Sequence, residues 1–289
     1  MTVVAIFGPT ASGKTAVAEA VAARIPAELV SADAMQVYDG LPLLTNQAAG
    51  RLVGIWPLEH EGSVGEYAAL AHAEIDAALA AGKTPVVVGG TGLYLRAALA
   101  ELELPPAPPP GARERWEAVY DAEGEEAAHA ELARRDPRAA AAVHPRDRRR
   151  VVRGLELAEA GASLRPAEDR LWSTQTRHPT TVVGLDVSRD VLEERIVART
   201  RRMFERGVEE EVRRALERRL SSTAAKVLGL YEVAELPREE AIERIVARTR
   251  RYAAYQRKWM RRIPGIVMLH AERPPDEVAD AVLEVARAR

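Results

Sequence analysis

The chain begins with a continuous apolar run, Val3–Phe7, followed by the octet Gly8-Pro9-Thr10-Ala11-Ser12-Gly13-Lys14-Thr15. Val17, Val21 and Ile25 then recur at helical spacing until Pro26 stops the pattern. An apolar run without polar alternation predicts a parallel strand covered on both faces, and the spacing after the octet predicts a helix over Ala16–Arg24. Similar runs predict strands at Glu28–Ser31, Pro85–Val88 and Thr181–Asp186. Ser63 with Glu66 three residues on forms a capping box, and Leu70, Ile75 and Leu79 mark the buried face of a helix that ends at Gly82. Gly40–Glu61 carries neither period and reads as a loop over a site. The fold class is therefore α/β, with a P-loop NTPase-like parallel sheet as its core.

Pro105, Pro106, Pro108, Pro109 and Pro110 form a stiff connector, and Ala112–Arg165 beyond it is helical in composition without a strand run. The expected organisation is a core over 1–107, a mostly helical insertion over 108–178, and the core continued over 179–289 with basic C-terminal helices. One helix is expected over Val191–Arg219. The octamer Arg195–Arg202 (RIVARTRR) recurs as Arg244–Arg251, which reads as two similar basic amphipathic helices rather than a structural repeat.

Composition narrows the class. With 289 residues, 47% of them apolar, the chain can bury a sizeable core. No apolar run has the length of a membrane span and the N-terminus lacks a charged leader, so a cytoplasmic location is expected. The absence of Cys excludes disulfides, thiolate metal sites and a cysteine nucleophile. The net charge of −2 is unevenly spread: Arg195–Arg262 holds 19 basic and 10 acidic residues, a balance of +9, which leaves −11 elsewhere. Such a split suits a polyanionic partner or a solvated helix face. The insertion is neutral, with 11 basic and 11 acidic residues from Gly111 to Arg165, although Arg148, Arg149, Arg150 and Arg153 make a local basic edge.

The candidate chemistry begins with the octet. Its pattern G-x-x-x-x-G-K-T lies between a strand and a helix, where loop amides and the helix N-terminus together bind phosphate oxygens. Lys14 would neutralise the terminal phosphates and Thr15 would ligate Mg²⁺; the loop alone does not specify the phosphate. Asp33 follows the second strand at the edge where ligands collect in open α/β sheets. It can join a Mg²⁺ shell, act as a general base, or cap a turn. Val88 leads into Gly89-Gly90-Thr91-Gly92, where a P-loop ATPase would usually carry an acid, and Asp186 after the fourth strand is either that acid or a strand-end cap. Tyr252, Tyr255, Gln256 and Trp259 interleave with Arg257, Lys258, Arg261 and Arg262, which suits stacking on unpaired bases or the final core helix equally.

Together these stretches resemble the tRNA dimethylallyltransferase (tRNA isopentenyltransferase) family. The matching segments are GPTASGKT at Gly8–Thr15, SADAMQVY at Ser31–Tyr38, VGGTGLY at Val88–Tyr94, HPRDRRRVVRGLE at His144–Glu156, RTRRMFERGVEEEV at Arg199–Val212 and QRKWMR at Gln256–Arg261. The resemblance implies transfer of a dimethylallyl group from dimethylallyl diphosphate to the exocyclic amine of the adenosine 3′ of the tRNA anticodon. It also implies an insertion that helps clasp the anticodon stem-loop, Mg²⁺ as cofactor, and a monomer. By the same resemblance Asp33 is the general base, and Thr10 and Arg199 assist departure of the diphosphate held by Gly8–Thr15. Contact with tRNA falls to Asp33, Ala34, Met35, Gln36, Thr91, Arg113, Arg149, Arg150, Arg153, Lys226, Gly229 and Gln256.

The chain departs from the family pattern in acceptor-facing segments. Gln47 stands where the family's Gly-Thr-x-Lys has its Lys, the Pro-His pair common in the following loop is not recognisable in Arg51–Glu59, and Lys226 opens the segment that the family writes Arg-x-x-Gly-Tyr. Two other activities fit the same octet: adenylate isopentenyl transfer to free AMP, ADP or ATP, and small-molecule phosphorylation by a P-loop kinase. The insertion and the basic C-terminal region weigh against the first, and the glycines after Val88 against the second.

Overall fold

The computed structural model describes residues 2–102, 104, 108–165 and 170–288; Pro105 and Pro106 of the connector lie outside them. The chain forms two compact units, Met1–Glu101 with Thr174–Arg289, and Leu102–Ser173.

The first unit is built on a five-stranded, wholly parallel sheet in the order β2-β3-β1-β4-β5. Its strands are β1 (Val3–Phe7), β2 (Ala27–Ser31), β3 (Thr84–Gly89), β4 (Thr180–Asp186) and β5 (Val267–His270). β1 is central, with Val4 opposite Val86 on one side and Thr181 on the other. Successive β1 side chains enter different cores: Val3, Ala5 and Phe7 face one layer of helices, Val4 and Ile6 the other. Both faces are therefore apolar, which is why the sequence shows a run and not an alternation. Each such Val, Ile or Phe contributes about 1.5–3 kcal/mol by leaving water.

On the Val4/Ile6 face, α1 (Lys14–Ala22) packs beside the C-terminal helix through Val17 and Val21. The opposite face carries α3 (Val64–Ala80) and α4 (Gly92–Leu99), preceded in the chain by the one-turn α2 (Pro42–Thr45) within the loop after β2. Ser63 caps α3 by accepting from Glu66 N at 3.1 Å. Of the residues expected on the buried face, Ile75 is buried and Leu79 packs against the core, whereas Leu70 is exposed and Tyr67 and Ala71 are buried in addition. The helices after β1 and β3 lie on opposite faces, so a crevice opens outside the carboxyl ends of these adjacent strands.

The second unit holds α5 (Ala112–Glu123), α6 (Glu125–Arg135), α7 (Pro137–Ala140) and α8 (Arg148–Glu159) around Leu132, Val143, Val151 and Leu155. Glu156, fully buried on α8, accepts from Arg113 at 2.7 Å and Arg153 at 2.8 Å.

The chain then re-enters the core. The helix expected over Val191–Arg219 is two helices, α9 (Arg189–Glu205) and α10 (Val208–Leu216), because Gly207 adopts a left-handed φ of 87° that α-helix cannot continue through. The short α11 (Leu230–Glu235) follows, then α12 (Arg238–Met260), β5 and α13 (Pro275–Arg287). The basic-aromatic segment is thus the end of α12 and not the final core element. Beyond Arg262 the sequence pattern yields no element, yet β5 is a four-residue edge strand whose Met268 and His270 face outward, and α13 covers α1 through Val278 and Val282. A strand this short, half of it exposed, leaves little periodicity to read.

Candidate active site

A cavity of about 360 Å³ opens at the carboxyl ends of the strands. The octet forms its floor. Ala11 at φ 68° and Gly13 at φ 91° turn the backbone into α1, whose first turn has no side-chain cap, so its leading amides are left for a ligand. Ser12 N donates to Pro9 O at 3.1 Å, and Lys14 Nζ folds back onto Pro9 O at 2.8 Å. Lys14 and Thr15 both line the cavity.

Asp33 and Gln36, carried out of β2, line the adjoining wall. Asp33 Oδ1 accepts from Met35 N at 2.9 Å, a turn that leaves its second oxygen available. Gln36 Nε2 donates to Asn46 O at 2.9 Å and Thr45 O at 3.3 Å, and Gln47 Nε2 donates to Tyr38 O at 2.6 Å and Gln36 O at 3.1 Å. Gln47 thereby serves as a multiple donor to carbonyls, a role open also to the lysine that the family pattern places there. The same wall is fixed from α10: Glu211 accepts from Leu43 N and Leu44 N, each at 2.8 Å, across the start of α2.

The third wall comes from α9 and α12, where the repeated octamer meets itself. Ile196 and Thr200 of the first copy and Ile245 and Thr249 of the second all line the cavity. The equivalent arginines diverge: Arg199 faces the cavity, while Arg248 pairs with Glu232 on α11. Arg195 and Arg202 also line the site, and Arg195 Nη1 reaches Ala11 O at 3.4 Å.

The charges are coupled. Burial pushes the Lys14 ammonium down to about 8, the Asp33 carboxylate opposes that shift, and Arg199 adds to it. Burial also lowers Arg199, again against Asp33. Two cations against one anion, all three partly buried, form a site that gains from receiving a polyanion. Behind the Gln36 wall, burial raises the Glu211 carboxyl above the ordinary range despite its two backbone bonds.

The cavity thus unites Thr10, Ala11, Gly13, Lys14 and Thr15 with Asp33, Met35, Gln36 and Arg199. Gly8, Pro9 and Ser12 of the octet do not line the cavity, and Pro9 O receives both Ser12 N and Lys14 Nζ. Ala34 N donates to Thr91 Oγ1 at 3.3 Å, tying that pair to the same rim. Gln256, expected at the tRNA face, is instead 1% exposed and bonded to Thr10 N and Gly90 O. Gly229 is likewise buried, against Leu44 and Ile245, whereas Lys226 is exposed. Arg113, Arg149, Arg150 and Arg153 belong to the insertion unit, two of them sharing Glu156. Asp186 sits beside Arg257 at 3.4 Å and is not part of the cavity wall. The sequence did not single out Glu211, and it marked Arg195 and Arg202 only as members of the repeated octamer without a site role: all three sit in helical segments rich in the same residue types, and only the fold selects them.

Mg²⁺ fits the arrangement only in one manner. Among the described residues no group of three or more His, Asp or Glu could hold a metal. A Mg²⁺ ion keeps most of its waters and binds through one or two protein oxygens plus substrate phosphates, which Thr15 at the mouth of α1 can supply.

Fold and cavity define an α/β protein with a glycine-rich loop suited to phosphate at the carboxyl ends of a parallel sheet. The IPP transferase family model matches residues 36–263 and the isopentenyl transferase model residues 1–50. The chain is 40% identical over 294 residues to the tRNA dimethylallyltransferase of Thermobifida fusca, covering 94% of this chain and 91% of that one. It is 40% identical over 280 residues to the tRNA dimethylallyltransferase of Streptomyces coelicolor, with coverages of 91% and 88%. The crystal structure of the full-length tRNA isopentenylpyrophosphate transferase from Bacillus halodurans superposes with a TM-score of 0.69 at 29% identity, covering 99% of this chain and 98% of the other. The chain belongs to the tRNA dimethylallyltransferase (IPP transferase) family.

Proposed function

We propose that this enzyme transfers the dimethylallyl group of dimethylallyl diphosphate to the exocyclic amine of the adenosine 3′ of the anticodon in tRNA. The observation that carries the reading is one cavity lined both by a phosphate cradle with the cations Lys14 and Arg199 and by a carboxylate, Asp33, beside Gln36. In the reaction the adenine amine forms a bond to the allylic carbon as the carbon–oxygen bond to diphosphate breaks. Lys14, Arg199 and the amides at the head of α1 take up the charge that develops on the departing diphosphate. Asp33 accepts the amine proton; its turn with Met35 N holds the carboxylate in place without consuming both oxygens. Mg²⁺ on Thr15 would add positive charge beside the diphosphate. The adenine must leave its stack to reach Asp33, and a cavity of about 360 Å³ has room for an extruded base. The insertion unit is the proposed clasp for the anticodon stem-loop, with the exposed Arg149 and Arg150 as its cations.

No helix among the described residues is long and apolar enough to cross a membrane, and the proposal includes a cytoplasmic monomer. The test is labelled dimethylallyl diphosphate with Mg²⁺ and total tRNA lacking the modification, with AMP in a parallel tube. Label in N6-isopentenyladenosine from tRNA alone supports the reading. Label in AMP alone moves the protein to nucleotide prenylation, and label in neither overturns prenyl transfer.

A further inference from the structure

We infer that Gln256 is a positioning residue of the donor site, which fixes the diphosphate loop against the glycine turn after β3; the inference rests on the function proposed above and deepens it. Gln256 is 1% exposed near the end of α12. Its Oε1 accepts from Thr10 N at 2.7 Å and its Nε2 donates to Gly90 O at 2.9 Å. One N–H and one C=O on opposite sides admit only one orientation of the amide, so the side chain is a rigid spacer between two loops. A Cβ at position 90 would fall 2.2 Å from Nε2, which is why glycine stands there. Trp259, nearly one turn on, has the same relation to Gly92, where a Cβ would fall 2.2 Å from the indole. One turn earlier, the Tyr252 hydroxyl lies 3.3 Å from Thr91 Oγ1, which in turn accepts from Ala34 N.

One face of α12 therefore sets the loops that follow β1, β2 and β3. The glycine-rich turn after β3 is a bed for that helix, not a second phosphate loop. Thr10 is the first residue of the octet to line the cavity, and its amide is occupied by Gln256. The carbonyl that receives Lys14 belongs to the residue before it. Loss of the spacer would free Thr10 and Pro9 together, and with them the aim of Lys14. A Gln256 that instead contacted tRNA would act on the acceptor and leave the donor undisturbed.

The experiment measures pyrophosphate binding with Mg²⁺ by calorimetry, and donor and tRNA KM and kcat separately, in the wild-type chain and Gln256→Leu. The variant conserves volume but strands a buried N–H and a buried C=O, and should weaken pyrophosphate and donor binding about 10- to 100-fold while tRNA KM stays unchanged. A raised tRNA KM with donor constants intact would overturn the inference. Gly90→Ala approaches the same contact from its other side and should give the same selective donor loss; in the Gln256→Ala/Gly90→Ala pair the clash with Nε2 is relieved and only the 3.1 Å approach to Gly8 O remains, so the losses of Gln256→Ala and Gly90→Ala measured singly should not multiply in the pair. If they do multiply, the spacer model fails. A wild-type chain that binds pyrophosphate with this Gln256 dependence yet modifies no tRNA would remove the acceptor assignment and leave the spacer standing.

Discussion

On the floor of the cavity the backbone does the holding: eight consecutive residues turn through Ala11 and Gly13 into α1 and leave amides free for phosphate. On the wall formed by residues 34–47 side chains do it. Gln36 and Gln47 tie the loop's carbonyls, and Glu211, some 168 residues away in sequence, ties the amides of Leu43 and Leu44. A site built from amides tolerates side-chain change at most of its positions and binds a group that every donor shares. A wall built from side chains can be altered one residue at a time, which is where this chain departs from its family. Under the proposed function the difference suits a two-substrate enzyme, with the diphosphate common to every donor set against the backbone and the acceptor against the adjustable side.

The largest separation between the two regions is expected from Asp33→Asn. The amide keeps an oxygen for Met35 N, so the turn survives, but the base is gone and kcat should fall about 10²- to 10⁴-fold. Pyrophosphate binding should change little at a pH well below 8, where Lys14 is charged in both proteins. Parallel losses in both measurements would show that floor and wall are not independent.

An intermediate effect lies in the pH dependence of the floor. The Lys14 ammonium, held at about 8 by burial, is charged below that pH and neutral above it. Pyrophosphate affinity should therefore decline above about pH 8, by at most tenfold per pH unit. The sign for stability is the reverse: between about 8 and the unfolded value of 10.5 the unfolded chain binds the proton and the folded chain does not, so this group makes the empty protein more stable as pH rises through that window. Because Asp33 raises Lys14, Asp33→Asn should move the binding midpoint to lower pH. An unmoved midpoint would mean that the two charges do not communicate.

The same contrast explains what the sequence disclosed. β1, the octet and α1 are contiguous, so strand run, glycine spacing and helical period report on one another and on the chemistry. Asp33 was legible because a strand end fixes its place in an open α/β sheet. Glu211 is one of three consecutive glutamates at the start of α10, and nothing local distinguishes the one that is buried from its exposed neighbours. Gln256 has the opposite history. Its neighbourhood of aromatics and cations suggested an RNA face, but on a helix the outward cations and the inward glutamine are separated by rotation that a linear reading does not resolve. The break at Gly207 and the edge strand β5 escaped for a similar reason, since each is decided by a few residues whose packing partners lie elsewhere.

The smallest effect tests the wall itself. Glu211→Gln retains an oxygen and the shape but replaces one acceptor by an N–H, so one of the two amides at the start of α2 loses its partner. Acceptor KM should rise about three- to tenfold, as for one charge-assisted hydrogen bond lost, with pyrophosphate binding unaltered. Acid should mimic the substitution. Burial raises the Glu211 carboxyl, so it takes up its proton at a higher pH than exposed carboxylates do, and the folded chain then binds a proton that the unfolded chain does not. Through that window the loop loosens as pH falls even though the fold as a whole gains from this group's protonation. Wild-type acceptor KM should accordingly climb on the acid side while the variant's stays flat. An acid limb that persists in Glu211→Gln would assign the titration to another group and leave Glu211 as a packing residue of α10.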